Sequence, residues 1–233
     1  MQLNEDEAGP YQAIPQPGAS WQPEGHPVLQ PHAYERGGTA KLLTLFRPST
    51  GILTVKGVLS VTNAVLHPWL TEELSALLAT IEKAHPAEEL PPEAERPLYA
   101  QWKTWLWPHE SAQGLPPLRI LLVLDNLAGH LSHDLVRWFF HHGVMPLYTP
   151  VGSSWLNMAE SVQRIIVPRA LAGQHPKNAQ QVIEWLEQTA AGWNRKPTRF
   201  VWNGKRRRRR ERARVRRLAG SGAALVKGYV IDN

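Results

Sequence analysis

Three acidic side chains stand where a catalytic metal site would need them. Asp125 ends the apolar run at 120–124, which is typical of a strand buried on both faces. A carboxylate at the tip of such a strand packs poorly unless it caps a helix or binds a metal or substrate. Glu160 lies on the polar flank of an amphipathic helix, and Asp6 closes a short first strand before an Ala-Gly-Pro turn.

These carboxylates converge if the first strand lies beside the strand that ends at Asp125 and the helix carrying Glu160 packs over the sheet. Carboxylates that share a site repel one another unless a cation lies between them. Mg²⁺ or Mn²⁺ fits, because a hard ion accepts a few carboxylates and keeps positions for water and phosphate oxygens. Two such ions about 3.5–4 Å apart assist in-line phosphodiester displacement. The predicted chemistry is that of a nuclease or strand-transfer enzyme.

Hydrophobic periodicity supplies the elements that position these acids. We expect a first strand and a hairpin with strands starting at Thr39 and Gly51, followed by a helix. Strand, helix, strand and two further helices complete the order. Ser132 is the expected N-cap of the helix after Asp125, and the helix carrying Glu160 is expected to begin near Leu156 and stop before Pro168. A separate helix is expected around three tryptophans: Trp102, Trp105 and Trp107.

Composition narrows the class of protein. The 233 residues include no cysteine, so disulfides and thiolate metal sites are excluded. No apolar run is long enough for a membrane span and the N-terminus does not resemble a secretory signal, so we expect a cytoplasmic protein without a membrane partner. The net charge of +6 is concentrated in KRRRRRERARVRR at 205–217. Such a run binds phosphates without reading sequence, and five consecutive arginines are the candidate DNA-binding residues: Arg206, Arg207, Arg208, Arg209 and Arg210.

The residues around the acids resemble a known family. Asp125 stands in LVLDNLAGH, and 34 residues separate it from Glu160. The intervening VMPLYTP and SSWLNMAES fit a Tyr-x-Pro-x-x-Ser-x-x-Leu-Asn-x-x-Glu pattern, while Asp6 and Glu7 fit a first Asp that is usually followed by Glu. WNRKPTRFVWNGK resembles the closing segment of the same family. Together these motifs resemble the catalytic domain of mariner-type DDE transposases, in their bacterial insertion-sequence branch.

The resemblance implies a fold, a reaction and a set of ligands. It implies an α/β class protein with a ribonuclease H-like mixed sheet flanked by helices. It also implies metal-dependent cleavage at transposon ends and joining of the freed 3′-hydroxyl to target DNA. Asp6, Asp125 and Glu160 would be the catalytic metal ligands for two Mg²⁺ or Mn²⁺ ions, with Asn126 and Asn157 supporting them or contacting DNA. The expected partner is DNA, bound by a homodimer on the bacterial nucleoid.

Departures from the family pattern shape the expected domain organisation. The chain starts five residues before Asp6, so we expect it to lack the N-terminal helix-turn-helix region. A long stretch between Asp6 and Asp125 predicts a helical insertion at about 86–117 within a catalytic domain at 1–200. Residues 201–233 would form a basic, flexible C-terminal tail. Gln163 stands where many relatives carry Trp.

Two other functions stay open at this stage. The same three acids would serve a simple ribonuclease H-like nuclease, although nothing beyond the acids points to one. A chain with the basic tail and an inactive site would be a nucleic-acid-binding remnant of a transposase.

Several of these residues also have ordinary structural interpretations. Asp125 could cap the following helix. Strand alternation sends Glu5 and Glu7 to the face opposite Asp6, so the choice of Asp6 is less certain than that of Asp125. The tryptophan cluster is expected to pack against the domain rather than stack on bases. Four histidines are expected to be surface or packing residues rather than metal ligands: His130, His133, His141 and His142.

Overall fold

The computed structural model describes residues 1–18, 24–26, 29, 33–84, 96–106, 108 and 115–200. These residues form a five-stranded mixed sheet with helices on both faces. The strands are β1 (Gln2–Gln12), β2 (Thr39–Arg47), β3 (Ile52–Val58), β4 (Ile120–Leu124) and β5 (Val144–Tyr148). The helices are α1 (Asn63–Ala84), α2 (Arg96–Leu106), α3 (His133–His141), α4 (Met158–Leu171) and α5 (Ala179–Asn194). None of the described helices is long and apolar enough to cross a membrane.

Strand β1 lies at the centre of the sheet, whose order is β3-β2-β1-β4-β5. It pairs antiparallel with β2 and parallel with β4, which in turn pairs parallel with β5. Asn4 stands opposite Val123, so extending this register by two residues sets Asp6 level with Asp125. The sheet therefore brings the first and second predicted acids to neighbouring strands, as expected.

The prediction that Asp6 closes a short first strand was wrong. β1 runs for 11 residues and pairs along β2 on both sides of Asp6, which stands opposite Thr44. The predicted Ala-Gly-Pro turn is instead an irregularity within the ladder between Ala8 and Tyr11. Gly9 has a φ of +117° there, a backbone conformation that favours glycine. A bulge of this kind lets a strand continue past residues that would otherwise read as a turn.

The two faces of β1 meet different helices. Leu3 packs with α1 and α3 in the largest apolar cluster, which also includes Leu43 and Leu45 of β2. On the other face of the sheet, Phe46 of β2 packs with residues of α4 and α5. Because side chains alternate along a strand, Glu5 and Glu7 lie on the α1/α3 side and Asp6 on the α4/α5 side.

Helix α4 differs from its predicted bounds at both ends. A 3₁₀ turn at Ser154–Leu156 precedes it, and it continues through Pro168 to Leu171. Proline removes the helical donor to the carbonyl four residues earlier, that of Arg164. Both Pro168 and Arg164 are exposed, and Leu171 is buried. Solvent can therefore hydrate the freed carbonyl while burial holds the last turn.

Helix α3 begins at the expected place but without the expected cap. Ser132 occupies the N-cap position with an extended backbone, yet its side chain makes no capping hydrogen bond. Its Oγ instead lies 3.2 Å from Nε2 of His67 in α1. The hydroxyl links two helices on the same face of the sheet.

Helix α2 packs on the outer side of α3 and β5. Tyr99 is fully buried in a cluster with Phe140 and Met145, and Nε1 of Trp102 donates a hydrogen bond to the carbonyl of Pro146 at 2.6 Å. Trp102 thus packs against the domain, as expected. Trp105 stacks on Trp102 with 70% of its surface exposed. Trp107 lies outside the described residues.

Candidate metal centre

Asp125 follows β4 directly, and its carboxylate is held from two sides. Its Oδ1 accepts a hydrogen bond from the backbone N–H of Leu127 at 3.0 Å and lies 2.8 Å from Nδ1 of His130. The hydrogen bond from His130 is the main cause that holds the pKa of Asp125 below its usual value. Asp125 caps this local turn rather than α3, which begins at His133. It therefore presents an ionised carboxylate at the end of a buried strand.

The environment of Asp6 favours the protonated form of its carboxyl group. Burial, then repulsion from neighbouring carboxylates, raises its pKa from 3.8 to about 8. The repelling groups, largest contribution first, are Glu5, Glu7, Asp125 and Glu160. Acids from β1, from the end of β4 and from α4 thus lie close enough to influence one another. A cation bound among them would relieve this repulsion.

Glu160 lies in the first turn of α4 with one paired and one unpaired oxygen. Oε1 accepts a hydrogen bond from Arg164 at 2.5 Å. Oε2 is buried and has no hydrogen-bond partner among the described residues. A buried carboxylate oxygen without a donor is costly unless something else satisfies it.

Two amide side chains fix α4 against β1. Nδ2 of Asn157 donates to the carbonyl of Glu5 at 2.6 Å, and its Oδ1 accepts from the N–H of Ala159 as the cap of α4. Nε2 of Gln163 donates to Oγ1 of Thr44 at 3.0 Å and to the carbonyl of Asp6 at 3.4 Å. The helix that carries Glu160 is therefore tied directly to the strand that carries Asp6.

Asn126 connects the segments that follow β4 and β5. Its Nδ2 donates to the carbonyl of Thr149 at 2.7 Å. Asn126 and Asn157 both bind backbone carbonyls, so each holds the ends of two elements together beside an acid. Whether they also contact DNA stays a prediction. The five arginines Arg206–Arg210 lie outside the described residues.

His130 is the site residue that the sequence interpretation missed. It is fully buried, with Nδ1 2.8 Å from Asp125 Oδ1 and Nε2 2.7 Å from Glu5 Oε2. Burial alone would lower the pKa of His130, but Glu5 and Asp125 outweigh it and raise the pKa to about 10. His130 is therefore buried between two carboxylates and is not a surface residue, and its expected role as a non-ligand stays a prediction. The other three histidines are exposed, as expected for surface residues: His133, His141 and His142.

Glu7 offers a second carboxylate close to Asp125. Burial, and then repulsion from Asp125, raises the pKa of Glu7 to about 7. Ligand atoms of Glu7, Asp125 and His130 all lie within 4.8 Å of one another, a spacing that could hold a metal ion. A protonated imidazole has no lone pair for a metal, so His130 acts here as a cation and hydrogen-bond donor. The carboxylates are the better ligands.

Comparisons with known proteins identify one segment of the chain and its fold. Residues 99–183, which include Asp125 and Glu160, match the DDE superfamily endonuclease family. No curated protein matches the sequence.

Two solved structures share the fold. A pre-cleavage Mos1 transpososome aligns with a TM-score of 0.53 and 17% identity over 97% of this chain. A Mos1 transposase paired-end complex with the left transposon end aligns with a TM-score of 0.51 and 15% identity over 85% of this chain. The chain spans 57% and 49% of the lengths of those two proteins. It therefore has the ribonuclease H-like fold of Mos1 transposase, with a segment at residues 99–183 that matches the DDE superfamily endonucleases.

Proposed function

We propose that this chain is the catalytic domain of a DDE transposase from a bacterial insertion sequence. Asp6, Asp125 and Glu160 would hold the divalent metal ions that DNA cleavage and strand transfer require. One observation supports the proposal: Asp125 and Glu160 lie near enough to Asp6 to add, after burial and after Glu5 and Glu7, to the causes that raise its pKa to about 8. The three acids belong to β1, to the end of β4 and to α4, and a cation bound among them would relieve their mutual repulsion.

The donor set fits a hard divalent cation. Among the described residues, Oε2 of Glu160 and Oε2 of Glu7 are both buried without a hydrogen-bond partner. Oxygen donors of this kind suit Mg²⁺ or Mn²⁺ rather than a softer metal. When bound, two such ions would activate the attacking hydroxyl and stabilise the leaving oxygen of a phosphodiester.

The chain's own residues would bind the cations and orient the ligands. Asn157 and Gln163 hold α4 against β1 through hydrogen bonds to the carbonyls of Glu5 and Asp6. These contacts hold the backbone of α4, which carries Glu160, against the strand that carries Asp6. Catalysis by positioned metal ions depends on such fixed geometry.

DNA is the proposed partner. Two of the matched structures are a transpososome and a complex with a transposon end, and the basic run at 205–217 supplies a local excess of positive charge. We assign Arg206–Arg210 to contacts with phosphates, in a tail at 201–233 that follows a catalytic domain at 1–200 with a helical insertion at about 86–117. A homodimer in the DNA complex, in the bacterial cytoplasm and on its nucleoid, completes the proposal.

Strand joining tests the proposed function. The full chain is incubated with Mn²⁺, a supercoiled plasmid and duplexes that carry the DNA flanking its coding sequence with a free 3′-hydroxyl end. Joined products on a sequencing gel are expected from the unmodified chain and not from Asp125→Asn or Glu160→Gln. Asp134→Asn is the matched control, because that carboxylate is 99% exposed on α3.

Two other outcomes of this assay would contradict the transposase proposal. Cleavage without joining would replace the transposase by a ribonuclease H-like nuclease. DNA binding with neither reaction, under Mg²⁺ as well as Mn²⁺, would overturn the enzymatic proposal and leave a nucleic-acid-binding remnant.

A further inference from the structure

We propose that His130 and Glu5 are positioning residues that set the separation and orientation of Asp6 and Asp125 for metal binding. The inference rests on the proposed function, since it concerns the same metal site. It adds a part that the three-acid interpretation does not contain: a buried bridge from β1 to the segment after β4.

The bridge consists of two short contacts on the two ring nitrogens of one imidazole. Nδ1 of His130 lies 2.8 Å from Oδ1 of Asp125, and Nε2 lies 2.7 Å from Oε2 of Glu5. The side chains of His130 and Glu5 are both fully buried. Glu5 is the chain neighbour of Asp6, so the ring links the residue beside one proposed ligand to the other ligand itself.

The backbone of His130 is fixed as firmly as its ring. Its N–H donates to the carbonyl of Leu127 at 2.9 Å, and its carbonyl accepts from the hydroxyl of Tyr148 at 2.9 Å. The imidazole therefore has little freedom to follow Asp125. The side chain of Asp125 is 28% exposed. The buried imidazole therefore fixes the position of the Asp125 carboxylate, and not the reverse.

Burial of Glu5 is difficult to explain by packing. Oε2 of Glu5 is paired only with Nε2 of His130 at 2.7 Å, and Oε1 is buried without a hydrogen-bond partner among the described residues. Removing a carboxylate from water costs several kcal/mol, and an apolar residue of similar volume is often as stable or more so. A central strand that keeps a charged residue here therefore gains something other than stability, namely an anchor for His130.

Loss of the bridge should weaken metal binding without removing a ligand. Without His130, Asp125 keeps only the hydrogen bond from Leu127 and can rotate towards solvent. Substituting groups that orient metal ligands typically costs 10–100-fold in metal affinity. We expect a loss of that size for His130→Gln and a smaller loss for Glu5→Gln, which leaves the contact with Asp125 in place.

Mn²⁺ titration of the full chain, followed by electron paramagnetic resonance without DNA, tests this inference. Affinity is measured where thermal unfolding shows each variant to be fully folded. His133→Gln is the matched control, because that side chain is 64% exposed at the start of α3. Unchanged Mn²⁺ affinity in folded His130→Gln would overturn the proposal.

A double-substitution cycle separates positioning from a general structural effect. If His130 acts through Asp125, His130→Gln should cost little further affinity in a chain that already carries Asp125→Asn. Additive losses would show that His130 acts on the whole domain and not through this ligand.

A measurement on the unmodified chain covers the case in which the variants do not fold. Mg²⁺ titration should shift the imidazole nuclear magnetic resonance signals of His130 and leave those of His133 unchanged. Unaltered His130 signals at saturation would contradict the proposal. Because these readouts need no DNA, a chain that shows them but fails to join strands would retain the inference and lose the proposed function.

Discussion

Metal-free protein should lose stability as the pH rises from 5 to 9, and divalent metal should restore it. The pKa of Asp6 is raised from 3.8 to about 8 in the folded chain. The folded state therefore binds this proton more tightly than the unfolded state. Stability is full below about 3.8 and is lost as the pH rises through the folded pKa. Glu7, with its pKa raised to about 7, acts in the same direction.

The size of the effect follows from the same values. One pKa unit corresponds to about 1.4 kcal/mol, so the full change at Asp6 sets an upper bound of about 6 kcal/mol. Water entry and relaxation in a real site reduce such values severalfold, and we expect about 2 kcal/mol. For a chain of this length that is a fall of about 4–8 °C in Tm. His130, whose pKa is raised to about 10, adds to the loss in the upper part of the range.

Calorimetry in chelator and in excess Mn²⁺, at pH 5, 7 and 9, measures this effect. Asp6→Asn removes the titrating group while keeping its volume, so the metal-free variant should be more stable than the unmodified chain at pH 8 and depend less on pH. Asp134→Asn should behave like the unmodified chain, because its carboxyl is exposed. A metal-free Tm that stays constant or rises from pH 5 to 9, or a destabilised Asp6→Asn, would refute the reasoning.

Three further predictions concern the ligands and their support. Asp6→Asn should reduce strand joining at least 100-fold in the gel assay, and Glu7→Gln should reduce it less than 10-fold. The reverse order would identify Glu7, and not Asp6, as the metal ligand from β1. Arg164→Gln should raise Mn²⁺ affinity a few-fold at low salt, because Arg164 occupies one oxygen of Glu160, and unchanged or lower affinity would contradict this competition. Asn157→Ala should lower the free energy of unfolding by about 2–3 kcal/mol, the sum of a lost helix cap and a lost buried hydrogen bond; a loss below 1 kcal/mol in urea unfolding would argue against both contacts.

Local sequence patterns predicted most of the elements that build the sheet. The apolar run before Asp125 forms β4, the hairpin after Thr39 forms β2 and β3, and the expected helices all exist, including the one around Trp102 and Trp105. These signals are short-range, because hydrophobic periodicity reports which face of each element is buried. The bounds failed where tertiary pairing overrode a local signal, as at Gly9 in β1 and Pro168 in α4.

The candidate site was predictable only in part. Asp125 and Glu160 carry a distinctive spacing and a strand-end or helix-flank position. His130 and Glu5 meet across 125 positions of sequence, and no local pattern pairs them. Strand alternation did place Glu5 on the face opposite Asp6. From this pattern the sequence could have predicted that acidic side chains project from both faces of the first strand.

Asp6, Asp125 and Glu160 are proposed to bind the same divalent cations. Anomalous diffraction from crystals of the full chain soaked in Mn²⁺ tests it most directly. The account predicts an anomalous peak in contact with carboxylate oxygens of Asp6, Asp125 and Glu160. A peak bound by Glu7 and Asp125 alone, or no peak near these residues at saturating Mn²⁺, would contradict it.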